Sequence, residues 1–393
     1  MQSSAVIVTS LRTPVGKAKR GALRFMRPEV MGAEAIRSAV DHTPNLHAED
    51  IDDVLIGCAF PEGSQGMNVG RIIANLAGLP DSVPGATVNR FCSSGLQTIA
   101  MANQAIGMGQ AECIVAGGAE SMTLVPMSGY YFQPDPGMAE SRPEVYVSMG
   151  NTAENLAQKY SISREDQDRF ALRSHERALA AQAGGLFEQE IIPLEVQQTS
   201  FQNGISKTVT YPFSVDEGPR ADTSMEALGR LRPVFRNGGS VTAGNASQMS
   251  DGAAATVVMS EDMAARLGAE PLARMVGFAV AGVPPALMGI GPVPAIEKVL
   301  EQTGLSRDEI GLIELNEAFA AQALAVIREA GLDESIVNVQ GGAIALGHPL
   351  GCTGAKLTAT LLHAMKRQNI RYGLCTMCIG GGMGAAAIFE NLS

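Results

Sequence analysis

Few of the six cysteines and five histidines in this chain of 393 residues stand where they could do chemistry. Cys92 follows the apolar stretch Thr87-Val88-Asn89 and opens a helix-like run through Ser93, Ser94 and Gly95. The free N–H groups and aligned peptide dipoles of a helix start favour a thiolate. A lowered thiol pKa makes a cysteine nucleophilic near neutral pH. The same residue type also serves as a small buried filler, as most free cysteines do. His348, in Gly347-His348-Pro349, is framed by a glycine and a proline just before another helix start, where a ligand has access to the imidazole. His42 and His47 fall in the polar stretch Asp41 to Asp52. His175 and His363 sit mid-helix beside charged neighbours, positions that suit surface side chains.

Cys375 and Cys378 form a C-x-x-C, the spacing of a redox pair or half a zinc site. No second such pair or paired histidine completes a metal site, so no metal is expected. Cys375 lies inside a predicted strand, and strand residues three apart face opposite sides. Cys378 then stands at the strand end beside Gly380, Gly381 and Gly382, where an acid–base thiol could sit next to backbone N–H donors. Asn316 follows the strand Ile313-Glu314-Leu315. It serves either as a plain helix N-cap or as an amide aimed at a water or carbonyl in a site.

Positioning these residues requires an alternation of strands and helices. Ala5 to Val8 and Val54 to Gly57 read as buried strands, and Glu29 to Val40 and Gly70 to Leu79 as helices. The strand at Thr87 runs into Cys92, the helix Leu96 to Ile106 follows, and the strand Cys113 to Ala116 closes on Gly117-Gly118. This alternation with glycine turns predicts an α/β layered fold. The pattern lapses over Thr123 to Val147, which reads as a loop covering something. A capping box at Ser163 to Asp166 predicts a helix to about Gln182, and Ile191 to Arg236 reads as irregular. A strand over Ala253 to Met259 would complete the first unit. Glycine turn, helix, strand and double glycine then recur from Gly347 to Gly382, which implies an internal duplication with a shared site.

Composition narrows the function. The net charge of −11 gives no basic footprint for a nucleic-acid partner, although a few local arginines could still hold an anionic small molecule. No apolar run reaches the ~20 residues of a membrane span, and no secretory leader opens the chain. The cysteines lack a disulfide framework, so a reducing cytoplasm is expected.

Four places together, Cys92-Ser93-Ser94-Gly95, Asn316-Glu317-Ala318-Phe319, Gly347-His348-Pro349 and Cys378-Ile379-Gly380, resemble the four fingerprint motifs of the thiolase family in order and separation. Arg12-Thr13-Pro14-Val15-Gly16-Lys17 and the stretch Gly244 to Ala253 resemble further family segments, so the likeness runs end to end. It implies duplicated α/β units packed as α-β-α-β-α layers with an inserted loop domain. The expected division is residues 1–121 plus 245–270 for the N-terminal unit, 122–244 for the loop domain, and 271–393 for the C-terminal unit.

The resemblance implies roles position by position. Cys92 would be the acylated nucleophile and His348 its base. Cys378 would protonate the departing enolate and activate the incoming thiol. Asn316 would hold a water that, with His348, stabilises the enolate oxygen. The N–H groups of Cys92 and Gly380 would form a second oxyanion hole. Coenzyme A would be a substrate, with no tightly bound cofactor. Its contacts would be Arg220 at the nucleotide end, Ser247 at the pantetheine, and Ala318, Phe235 and Phe319 as walls. Met288 would lie near the acyl pocket. For Phe235, Phe319 and Met288 plain core packing is the alternative, and for Arg220 a solvated loop charge.

The tract Tyr146 to Asn155 and the single basic residue, Arg142, between Thr123 and Val147 resemble degradative 3-ketoacyl-CoA thiolases of fatty-acid β-oxidation. Alternatives are a biosynthetic acetoacetyl-CoA thiolase, a decarboxylative condensing enzyme, which would lack Cys378, and a non-catalytic acyl-CoA or lipid-binding relative, which would have lost a motif. A homodimer or homotetramer is implied.

Overall fold

The computed structural model describes residues 4–202 and 205–393. The first half runs β1 (Ala5–Arg12), β2 (Gly16–Lys17), α1 (Pro28–Asp41), β3 (Asp53–Gly57), α2 (Val69–Leu76), β4 (Ala86–Val88), α3 (Ser94–Gly107) and β5 (Cys113–Ser121). The chain then leaves the sheet through α4 (Met149–Lys159), α5 (Arg164–Ala183), β6 (Leu194–Gln202) and β7 (Ile205–Phe213), and returns as β8 (Ser250–Ser260). The second half comprises β9 (Ala273–Gly282), α6 (Pro292–Thr303), β10 (Ile310–Leu315), α7 (Ala320–Ala330), α8 (Leu350–Gln368), β11 (Tyr372–Ile379) and β12 (Met383–Asn391). Local chemistry sets several of these boundaries. Ser163 Oγ accepts from Asp166 N at 3.0 Å at the start of α5. Left-handed Gly304 and Gly331 stop α6 and α7.

One mixed sheet, in the order β10-β11-β12-β9-β1-β8-β5-β3-β4, carries the duplication. In the first half β3 is parallel to β5, β5 antiparallel to β8, and β8 antiparallel to β1. In the second, β10, β11, β12 and β9 repeat those relations in the same sequence. The halves join at Ile7 and Ala273, where the sheet folds over. Both faces are buried, so the strands read as apolar runs without alternation.

Three cores separate the layers. Met31, Ile36 and Ile73 of α1 and α2 pack outside the first half on Val6 and Val257. Leu96 and Ile99 of α3 and Leu357 and Leu361 of α8 fill the middle, touching Ile7 and Val258 on one side and Met377 and Phe389 on the other. Ile296 and Leu324 of α6 and α7 cover the second half over Leu315 and Ile388. Each such aliphatic side chain removed from water contributes about 1.5–3 kcal/mol. The result is the expected α-β-α-β-α stack.

The segment from Ile191 to Arg236 departs from the irregular structure expected there. β6 and β7 form a hairpin. Leu194 and Val196 are buried against the first outer core, while Glu195 and Gln197 face solvent. The alternation is short, and the polar continuation through Gln198 and Thr199 hides the period. On either side of the hairpin, the inserted segment is tied down by Arg12, which is fully buried. Its Nε donates to Glu190 Oε1 at 2.6 Å, and its two terminal nitrogens donate to Asp216 at 2.8 Å each.

Candidate active site

The site lies at the C-terminal ends of β10 and β11, where the turn before α3 meets the turn before α8. Cys92 sits in a single 3-10 turn, Phe91–Ser93, that runs into α3. Phe91 takes a left-handed φ of 43°, an uncommon conformation for an aromatic residue. Asn89 Oδ1 holds it by accepting from Phe91 N at 2.8 Å, and Ser94 Oγ by donating to Phe91 O at 2.6 Å. The Cys92 sulfur is met by the N–H of Gly380 and by its own N–H. The helix start does not lower its pKa as the sequence alone predicts. Burial wins and pushes the thiol up to about 11, against those two amides.

His348 follows Gly347, whose φ is 94°. A Cβ at Gly347 would lie 2.3 Å from Ser250 Oγ, so glycine is required there. The His348 backbone N–H is shared between Gln248 O at 3.1 Å and Ser250 Oγ at 3.2 Å. Its ring is bracketed, with Nδ1 at 2.6 Å from Thr353 Oγ1 and Nε2 at 3.3 Å from Asn316 Nδ2. Thr353 Oγ1 donates to Pro349 O at 3.1 Å. Its single proton being so used, it accepts from Nδ1–H, which leaves the Nε2 lone pair toward Asn316 and the site. Burial, and next the charge of Lys356, lower the His348 pKa to about 3. The imidazole is therefore neutral and able to accept a proton.

Cys378 is the penultimate residue of β11 and pairs with Gly384. It is fully buried beside Met288, Ala318 and Phe319. Burial, and next the neighbouring Cys92, raise its thiol well above the ordinary range. Cys375 faces the middle layer instead, as its spacing from Cys378 requires. Asn316 is fully buried, and among the described residues its Oδ1 has no hydrogen-bond partner. Both observations fit an amide turned to a site better than a helix cap, and α7 does not begin until Ala320.

The residues expected to contact coenzyme fall into two groups. Ser247 N donates to Ala318 O at 2.9 Å, and the Phe235 and Phe319 rings meet edge to face at 6.0 Å. This group adjoins Cys378, and buried Met288 packs with it. Arg220 stands apart, exposed and paired with Asp222 at 2.9 Å. It lines a cavity of about 390 Å³ with Lys17, Arg20, His175, Thr223 and Gln248. His175 is buried rather than on the surface, and its Nδ1 accepts from Arg220 N at 3.2 Å. Burial, and next the Arg220 charge, lower its pKa to about 4.

Sequence reasoning passed over three residues. Thr353, five positions after His348, fixes the tautomer. Gln248 Nε2 donates to Gly218 O and Ile344 O at 3.0 Å each, stitching the Arg220 cavity to the His348 turn. Glu120 is buried at the end of β5, and a lone acid closing an apolar strand is a signal visible in the sequence. Among the described residues no group of three or more His, Cys, Asp or Glu side chains is placed to hold a metal ion, and no helix is long and apolar enough to cross a membrane.

Two family models match the chain, "Thiolase, N-terminal domain" over residues 5–262 and "Thiolase, C-terminal domain" over residues 269–391. A Bacillus subtilis (strain 168) protein named 3-ketoacyl-CoA thiolase is 54% identical, over 98% of this chain and 99% of its own. A protein of the same name from Photobacterium profundum is 46% identical over 99% and 100%. The solved Bacillus anthracis acetyl-CoA acetyltransferase superposes with a TM-score of 0.90 at 42% identity, covering 100% of this chain and 99% of that one. Human mitochondrial 3-ketoacyl-CoA thiolase gives 0.89 at 39%, covering 99% of each.

Proposed function

The chain belongs to the thiolase family, and from that membership we propose that it cleaves 3-ketoacyl-CoA with coenzyme A, giving acetyl-CoA and an acyl-CoA two carbons shorter. The observation that carries this is what surrounds Cys92: the Gly380 amide at its sulfur, Cys378 beside it, and Leu350 packed with it two residues after His348, whose ring meets Asn316.

His348 Nε2 takes the Cys92 proton, which a thiol raised to about 11 does not shed unaided at neutral pH. The sulfur attacks the substrate's C3 carbonyl, whose developing oxyanion is met by the Cys92 and Gly380 N–H groups. One such donor is worth ~3–4 kcal/mol. The C2–C3 bond breaks, leaving the acyl group on Cys92 and the electron pair on the enolate of acetyl-CoA. The enolate oxygen is stabilised by the protonated His348 and by a water on Asn316. Cys378 then gives its proton to C2, and acetyl-CoA departs. The Cys378 thiolate next takes the proton of incoming coenzyme A, whose sulfur attacks the acyl thioester. Hexanoyl-CoA leaves when the substrate is 3-ketooctanoyl-CoA, and His348 returns the proton to Cys92. Two covalent half-reactions predict ping-pong kinetics.

The coenzyme's anionic nucleotide end fits the cavity of Lys17, Arg20 and Arg220, and its pantetheine the groove of Ser247, Ala318, Phe235 and Phe319. Met288 borders the acyl pocket. The single Arg142 over residues 123–147 and the names of the relatives support the degradative type over acetoacetyl-CoA synthesis. We place the enzyme in the cytoplasm as a homodimer or homotetramer with no tightly bound cofactor. The segment 122–244 acts as the loop domain between the units 1–121 plus 245–270 and 271–393. Incubation with coenzyme A and 3-ketooctanoyl-CoA, following loss of the enolate absorbance, is the test. Turnover lost in Cys92→Ser is the expected result, and no cleavage of this substrate or of acetoacetyl-CoA would defeat the proposal.

A further inference from the structure

The duplicated register gives each active-site position a counterpart in the other half. Gly57 of β3 stands beside Gly118 of β5, as Leu315 of β10 stands beside Thr376 of β11. Two residues on, Glu120 lies opposite Gly252 of β8, as Cys378 lies opposite Gly384 of β12. One residue past Gly57 and Leu315, Cys58 matches Asn316. Two residues before the starts of α3 and α8, Cys92 matches His348. Glu120 thus fills in the first half the place that the second thiol fills in the other.

A carboxylate buried to 1% exposure is costly unless paired with donors. Glu120 Oε2 accepts from Ala59 N at 2.7 Å and Gly351 N at 2.8 Å, and Oε1 accepts from Gln65 Nε2 at 2.7 Å with Cys58 Sγ at 4.0 Å. The three nitrogen neighbours can only donate, so they favour the carboxylate over the protonated acid. The site suits the ionised form, although burial pushes its pKa up. Gly351 lies in the first turn of α8, three residues after His348. A Cβ there would lie 2.7 Å from both Glu120 Oε2 and Cys58 Cα, so the helix start is pressed directly onto the carboxylate.

We propose that Glu120 is a positioning residue for the thiolytic reaction, a buried carboxylate of the first half that clamps the start of α8 and so holds His348 in register with Cys92. The inference rests on the reaction proposed above. The charge has a second effect. Half-buried Cys92 packs in one cluster with Ala59, whose amide Glu120 accepts from, and with Leu350, which precedes Gly351; Cys378 of β11 neighbours it as well. Glu120 is the resident anion among them, and it opposes the Cys92 thiolate.

Two variants separate clamp from charge. Glu120→Gln keeps an oxygen for Ala59 and Gly351 but removes the charge, whereas Glu120→Ala removes both. The readouts are the pH dependence of Cys92 alkylation by iodoacetamide, scored on the Cys92 peptide, and kcat and KM for 3-ketooctanoyl-CoA. In both variants the alkylation midpoint moves to lower pH. Glu120→Ala also lowers kcat about 10- to 100-fold, as displaced catalytic groups do, with KM kept within about 2-fold. Glu120→Gln keeps most of kcat. A natively folded Glu120→Ala enzyme with the wild-type kcat would overturn the clamp, and an unmoved profile in Glu120→Gln would overturn the charge effect. Should Glu120→Ala fail to fold, Glu120→Asp draws the carboxylate back from Gly351 and gives the same kcat readout. Alkylation needs no turnover, so a wild-type protein that alkylates at Cys92 but cleaves no substrate defeats the proposed activity instead.

Discussion

Cys92 and Cys378 are neighbours that pack into separate apolar clusters, and each thiol is raised chiefly by its own burial. In the proposed mechanism both thiols rest protonated and neutral His348 is the acceptor. Cys92→Ala therefore abolishes cleavage. Cys378→Ala still reacts at Cys92 but loses a factor of ~10²–10⁴ in turnover, the usual weight of a placed acid–base group. Steady-state kinetics of the two variants check this, and a Cys378→Ala enzyme at full rate would remove Cys378 from the mechanism. The histidines also couple stability to pH. In the folded protein His348 titrates at about 3 and His175 at about 4, below the ordinary 6.5. Between these values the unfolded chain binds protons that the folded one refuses. Stability therefore rises with pH up to about 6.5 and is lost as pH falls. The melting temperature should drop from pH 7 to pH 5, and by less in His175→Gln. An equal drop in both would show that His175 does not contribute. Cys92 and His348 were legible as chemistry because each precedes a helix start. The direction of the Cys92 shift was not, because it depends on desolvation by residues distant in sequence.

Helices α3 and α8 cross in the middle layer, and their contact sets the distance between the Cys92 and His348 turns. The crossing is close because glycine lies in it. A Cβ at Gly354 would lie 2.3 Å from Leu96 N, and backbone there has little room to give. Gly354→Ala should cost about 1–3 kcal/mol by overpacking and lower kcat more than KM, since it parts the two turns. Urea unfolding and steady-state kinetics measure both, and an unchanged pair would mean that the crossing does not set the site. Both helices were expected from the sequence, each following its glycine turn. The β6–β7 hairpin was not, because among the described residues only Leu194 and Val196 of β6 and Tyr211 and Phe213 at the end of β7 reach a core.

The whole molecule is two copies of one layered unit, with the inserted segment secured from beneath by Arg12. Arg12 lies 178 residues from Glu190 and 204 from Asp216, so no local pattern in the sequence reveals that union. The duplication itself was readable, because glycine turn, helix and strand recur in order. Arg12→Met would leave two carboxylates buried without their cation, a loss of about 3–5 kcal/mol. Calorimetric or urea unfolding reads this directly, and a loss under about 1 kcal/mol would mean that the segment is held by packing alone. The sparse positive charge over residues 123–147 resembles the degradative thiolases, so under the proposed function 3-ketooctanoyl-CoA should be cleaved faster than acetoacetyl-CoA.

Covalent acylation of Cys92 is the most direct check on the chemistry. The protein is mixed with 3-ketooctanoyl-CoA in the absence of coenzyme A, quenched, and analysed by intact and peptide mass spectrometry. One hexanoyl group should appear on the Cys92 peptide, with one acetyl-CoA released per site, and added coenzyme A should remove the adduct as hexanoyl-CoA. An adduct on another residue, or acetyl-CoA release undiminished in Cys92→Ala, would be incompatible with an acyl-cysteine pathway at this site.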